Sequence, residues 1–370
     1  AAVGALAGYA LAPSPRLATM PAVTYVLGAA ISTLPASFFM KRRGRRAGFL
    51  VGSSLGMAGG AVGAIAIAVH SFTLLLAGTF LCGIYNAFGQ YYRFAAADAA
   101  PPDWQSRAIS LTLAGGIFGG FIGPAVGRVT RDLVEPQFLA SYAALAVFAL
   151  ASFVIAAGLS FPEQSSEERH GTGRPLGVIL RQPAVVVAVL AAAVGYGVMN
   201  LLMSVTPLAM DLCCHHPFAD ATFVLQWHVI GMFAPSFFTG GLIRRVGVLN
   251  VLLAGAALMF VCVAIAMSGV TLMHFWWALT LLGVGWNFLY IGGTMLLTEA
   301  HRPAEKAKVQ GVNDSLVFAV MVSSSLTSGV VVTGTGGWAM LTRLTVPFLA
   351  VTALATSILW IREHRSMARG

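Results

Sequence analysis

The chain is poor in charge. Asp, Glu, Lys and Arg together make up 9% of its 370 residues, whereas soluble domains carry roughly a quarter. That shortage excludes an ordinary water-soluble globule, and the mean hydropathy of +0.82 agrees. Cysteine is scarce as well. Cys82, Cys213, Cys214 and Cys262 give no disulfide framework, since adjacent cysteines seldom pair and the outer two lie inside apolar runs. The cations gather in a few loops. The net charge of +9 is therefore a matter of membrane topology and excludes nucleic acid as a partner. No nucleotide loop and no catalytic constellation occurs, so an enzyme is not expected. A cleavable signal is not expected either, because a multi-pass inner-membrane protein needs none.

What the sequence does have is long apolar runs. A membrane helix needs about 20 apolar residues, and such runs occupy approximately 18–40, 47–69, 72–94, 107–129, 137–160, 184–206, 221–243, 248–269, 273–297, 308–331 and 340–361. The opening Ala1–Leu11 is apolar but too short to span, and reads as the tail of a truncated first helix. The expectation is an all-α polytopic protein of twelve transmembrane helices. In lipid each helix must satisfy its own backbone polar groups, and the 41 glycines suit helices that pack closely there. Basic loops at Lys41–Arg46, Arg244–Arg245, His301–Lys308 and Arg362–Arg365 fall on one side, which the positive-inside rule makes cytoplasmic. The polar stretch 162–183 reads as a flexible linker between a bundle at 1–161 and a second at 184–370. The halves echo one another. Gly44-Arg45 is answered by Arg244-Arg245-Val-Gly247, and Ala100-Pro101 with Arg107 by Ala300-His-Arg-Pro303 with Lys306, about 200 residues on, as in parallel six-helix repeats.

On these features the whole chain resembles the major facilitator superfamily, which implies two six-helix bundles and transport by alternating access. The loop after the second helix is similar to that family's Gly-x-x-x-Asp-Arg-x-Gly-Arg-Arg gate motif, matched at Arg42, Gly44, Arg45 and Arg46. It departs from the motif at Ser37 and Lys41. Asp314, on the eleventh helix, is expected to pair with this cluster and close the cytoplasmic side, with carriage of a coupling proton as the alternative. The fifth helix carries Gly119, Gly123, Pro124 and Gly127, similar to a Gly-Pro motif of antiporters and equally suited to close packing with a kink.

Two further pairs lie on the seventh and eighth helices. Met199/Met203 and His228/Met232 are each spaced i, i+4, so each pair shares a helical face. In an antiparallel hairpin Met203 would lie level with His228, and Met199 with Met232. Three thioethers and an imidazole suit a soft metal such as Cu(I). Packing methionines and a core histidine bonded to a neighbouring helix are the plainer alternative. The Met-x-x-x-Met and His-x-x-x-Met pair resembles that of CcoA-type bacterial copper importers. This resemblance implies copper import across the bacterial inner membrane for oxidase assembly, with an intracellular copper acceptor as partner. Copper is then substrate, and no cofactor is expected. Cys213-Cys214-His215-His216, in the loop joining those helices, is a candidate capture site or an incidental polar turn. Asn86, Gln90, Tyr91, Asn200, Gln226, Asn287, Tyr290 and Asn313 are candidate cavity residues. The rival function is transport of an organic solute or multidrug efflux through an apolar, aromatic pocket.

Overall fold

The structure is a computed structural model that describes residues 2–13, 17, 20–162, 166–214, 216–333 and 337–367. Its helices are α1 (Ala2–Leu11), α2 (Met20–Arg43), α3 (Arg45–Ala68), α4 (Phe72–Gly89), α5 (Tyr92–Ala99), α6 (Gln105–Ala114), α7 (Gly116–Thr130), α8 (Leu139–Gly158) and α9 (Ser166–His170). There follow α10 (Leu176–Ile179), α11 (Pro183–Cys214), α12 (Phe218–Phe233), α13 (Ser236–Val246), α14 (Val248–Ser268), α15 (Leu272–Ala300), α16 (Lys306–Thr333) and α17 (Gly337–Met367). No strand occurs among the described residues. Among the described residues, nine helical segments are long and apolar enough to cross a membrane, and α12 with α13 makes a tenth, bent by 41°. With the 28-residue α16, each of the eleven long apolar runs is a helix or a broken pair. The protein is multi-pass.

Two glycines set matching corners. Gly44 separates α2 from α3 at φ 87, ψ 163, and Gly247 separates α13 from α14 at φ 87, ψ 153. Only glycine adopts that region freely. The echo between the halves is therefore conformational as well as sequential.

The chain forms two compact units. One comprises residues 1–95, 118–172 and 303–318, and the other 96–117, 173–302 and 319–370. In the first, α3 lies between α4 and α8. It can do so because its glycines lack side chains: a Cβ on Gly60 would sit 2.5 Å from the Ala146 nitrogen. In the second, α15 is the central helix. Of its apolar window 83% is buried, against 28% for α17, and it packs against α11, α12 and α14. Gly283 brings α12 close, since a Cβ there would be 2.6 Å from the His228 carbonyl oxygen.

The bend between α12 and α13 has a local cause. Pro235 has no N–H to donate and breaks the helical ladder. Asn287, fully buried on α15, repairs the break. Its Nδ2 donates to Met232 O at 2.7 Å and Ser236 Oγ at 2.5 Å, and its Oδ1 accepts from Thr239 Oγ1 at 2.8 Å. Asn287, a candidate cavity residue by sequence, is thus spent on bracing the kink.

Candidate transport site

Within the second unit, α11 and α12 meet α15 from different sides. α11 runs antiparallel to α15, with Gly293 against Ala188 and Gly195 against Leu289. α12 runs parallel to it, with Gly231 against Thr280 and the Phe233 ring 5.9 Å from that of Trp286. His228 is fully buried, and its Nδ1 lies 2.7 Å from Leu279 O. A carbonyl only accepts, so Nδ1 carries the proton and Nε2 is left with a bare lone pair. That Nε2 is enclosed and has no hydrogen-bond partner among the described residues. Met199 and Met232 are buried and Met203 half-buried. Continuing the α11 register brings Met203 opposite Leu279, level with His228. The expected direct face between α11 and α12 is replaced by α15, which both pack against far more extensively than against each other. Among the described residues no group of three or more His, Cys, Asp or Glu side chains is arranged to hold a metal.

An aromatic cluster occupies the same face of α15, and the sequence pattern pointed only to its Tyr290. Trp286 and Tyr290 stack at 5.1 Å with planes 17° apart. Tyr196 of α11 meets both edge-on, at 5.3 and 5.2 Å. Trp286 and Tyr290 are i, i+4 neighbours, and Tyr196 shares its helical face with Met199 and Met203. Tyr196 is the partly exposed member, and the Trp286 indole N–H has no partner among the described residues. Asn200, one step round α11, turns to α16, where Nδ2 donates to Ser324 Oγ at 2.8 Å and Met321 O at 3.2 Å.

The basic end of the first unit holds a second constellation. Asp314 does not pair with the Lys41–Arg46 cluster as expected; its partner is Arg93 of α5. Both side chains are buried, and Asn313 Nδ2 donates to the same Asp314 Oδ1 at 2.8 Å. The pairing follows from reach. Arg45 is spent on Gln310 Oε1 at 2.9 Å and stacks toward Tyr91. Arg46 donates to Ala157 O, and Arg42 is exposed. The two residues that depart from the gate motif are both engaged. Ser37 Oγ donates to Ala307 O at 2.7 Å, and Lys41 Nζ to Gly171 O at 2.7 Å. The start of α16 is further tied by Lys306 to Glu168 at 2.9 Å.

The remaining candidates are not brought together. The side chains of Cys213 and Cys214, and all of His215, lie outside the described residues. His216 has both nitrogens occupied, Nε2 by Val270 O at 2.8 Å and Nδ1 near Asp220 at 3.7 Å. It therefore ties the loop before α12 to the loop before α15. The close packing expected of Gly119 and Gly123 is not found: a Cβ on either meets nothing within 4 Å. Both are exposed on α7, facing away from the helices of their unit. The Pro124 side chain is outside the described residues.

Long apolar helices packed through glycines, and a proline kink braced by the buried Asn287, define a multi-pass helical membrane protein. The sequence profile of the Major Facilitator Superfamily matches residues 1–325. The riboflavin transporter RfnT of Brucella anthropi is 39% identical over 352 residues, covering 94% of this chain and 88% of that protein. The chain belongs to the Major Facilitator Superfamily, and it is a secondary transporter, not an enzyme. YdeG of Bacillus subtilis, an uncharacterized transporter of the same type, is 28% identical over 90% of this chain and 81% of its own. The fold is also that of the E. coli fucose:proton symporter FucP, with a TM-score of 0.75 at 19% identity over 92% of this chain and 90% of that one. The narrower likeness to copper importers is not repeated among these relatives.

Proposed function

We propose that the chain carries a planar heteroaromatic solute of the flavin type, riboflavin first, across a bacterial inner membrane. The observation that carries this reading is the 39% identity, along nearly the whole chain, to a riboflavin transporter. The chemistry of the second unit supports it. Tyr196, the partly exposed member of the aromatic cluster, offers its ring to a fused-ring ligand while the buried Trp286 and Tyr290 hold it in place, and stacking of a base on such a side chain contributes about 1–3 kcal/mol. The organic-solute alternative is thereby preferred to copper.

The test is accumulation of labelled riboflavin by cells that lack their own uptake route. Expression of the protein should raise accumulation, and Tyr196→Leu should raise the half-saturating concentration about tenfold at unchanged protein level. Absence of riboflavin accumulation at normal expression would sink the reading. Copper import through Met199, Met203, His228 and Met232 remains the second reading. Its support is the unpartnered His228 Nε2, in the tautomer a soft metal requires. Copper accumulation that is lost in His228→Ala would favour it.

A further inference from the structure

The second unit contains a cleft of about 450 Å³ between α6 and α13, away from the aromatic cluster. The two helices cross with their backbones nearly touching. Gly240 leaves room for the Ser106 carbonyl, Ser106 Oγ donates to Gly240 O at 2.9 Å, and Gly240 N donates to Ser110 Oγ at 3.0 Å. Serine-to-backbone bonds thus hold the crossing, and the side chains on either side of it splay apart.

Each wall of the cleft runs from apolar to cationic. On α6 the sequence is Leu111 then Arg107, one turn apart. On α13 it is Phe237, Gly241 and Arg245, again in steps of one turn. Leu111, Phe237 and Phe238 are each more than half exposed, as surfaces in contact with acyl chains can be. Arg107 is steadied by the Trp104 ring, 4.8 Å from its guanidinium carbon. Arg245 makes no ion pair among the described residues. Among the described residues no acidic side chain lines the cleft. Both arginines lie toward the end of the unit that bears the basic loops, the side facing the anionic leaflet.

The geometry points to a binding site for an anionic phospholipid. Arg107 and Arg245 receive the headgroup phosphate, and Leu111, Phe237 and Phe238 receive the upper acyl chain. Guanidinium is suited to phosphate because its fork of donors matches the phosphate oxygens. The site is separate from the transport site and does not depend on which solute is carried.

Native mass spectrometry of the full chain with added phosphatidylglycerol, phosphatidylcholine and inorganic phosphate tests this. Phosphatidylglycerol should be retained in preference to phosphatidylcholine. The double variant Arg107→Gln/Arg245→Gln should weaken that binding about fivefold per arginine, while Arg244→Gln, just outside the cleft, should leave it intact. Gly241→Leu gives a second route that keeps both charges. A Cβ at Gly241 meets nothing within 4 Å, so the leucine fills the cleft without a clash and should also weaken binding. Equal retention of the two lipids, or wild-type phosphatidylglycerol binding in both cleft variants, would overturn the proposal. Displacement of the lipid by millimolar phosphate would overturn it too, and would assign the arginines to the free anion.

Discussion

Arg93 and Asp314 form an ion pair whose side chains are 2% and 3% exposed. Removing one partner leaves a buried charge uncompensated, at a cost of about 3–5 kcal/mol, whereas removing both need not. Arg93→Ala and Asp314→Ala should each lower the thermal midpoint of the purified protein more than Arg93→Leu/Asp314→Leu does. Additive losses in the double variant would mean that the two do not act as a pair. Gly44 and Gly247 allow a similar comparison. At φ 87, any side chain is strained by roughly 1–3 kcal/mol. Space is not the obstacle at Gly44, where a Cβ meets nothing within 4 Å. Gly44→Ala should therefore destabilise through backbone strain alone, and a thermal midpoint equal to wild type would exclude that account. The sequence showed these glycines as echoes in a motif. That they share one rare conformation needed coordinates.

The seam between α12 and α15 shows how far an element can be read from its pattern. The spacing of His228 and Met232 correctly placed both on one face, since the 3.6-residue period fixes faces whatever the neighbour. It could not say which helix that face meets. Sequence adjacency favoured α11, yet glycine positions decide how closely helices approach in lipid, and Gly231 and Gly283 meet across α12 and α15. Asn287 and Tyr290 looked alike as polar groups in a span, but one step along the helix separates a brace for the Pro235 kink from a member of the aromatic cluster. The partner of Asp314 is hidden from the sequence for a related reason. Loop charge gives sidedness, but the Arg93 that meets it comes from the end of a different helix. A prediction follows for the seam. In Gly283→Ala the added methyl would lie 2.6 Å from His228 O and must push α12 off α15, with overpacking of this kind costing about 1–3 kcal/mol. Riboflavin uptake and thermal stability should fall together. Gly241→Ala, on open space at α13, should leave both unchanged.

At the scale of the molecule, the compact units do not follow the sequence halves. Residues 303–318, from the second half, are fastened to the first unit by Ser37, Lys41, Arg45 and Arg93, while 96–117, from the first half, belong with the second. A chain divided in this way runs helices α5, α7 and α16 from one unit into the other. Alternating access makes a demand that a channel or a binding-only receptor does not meet. Vesicles preloaded with unlabelled riboflavin should take up labelled riboflavin transiently with no other gradient, because each return of the loaded carrier brings labelled solute inward. Counterflow should be reduced in Tyr196→Leu, and should be the same with and without a Cu(I) chelator, since no step in it uses the unpartnered His228 nitrogen. Retained binding without counterflow would identify a receptor. Loss of counterflow on chelation would return the metal to the mechanism, with His228 and the three methionines as its ligands.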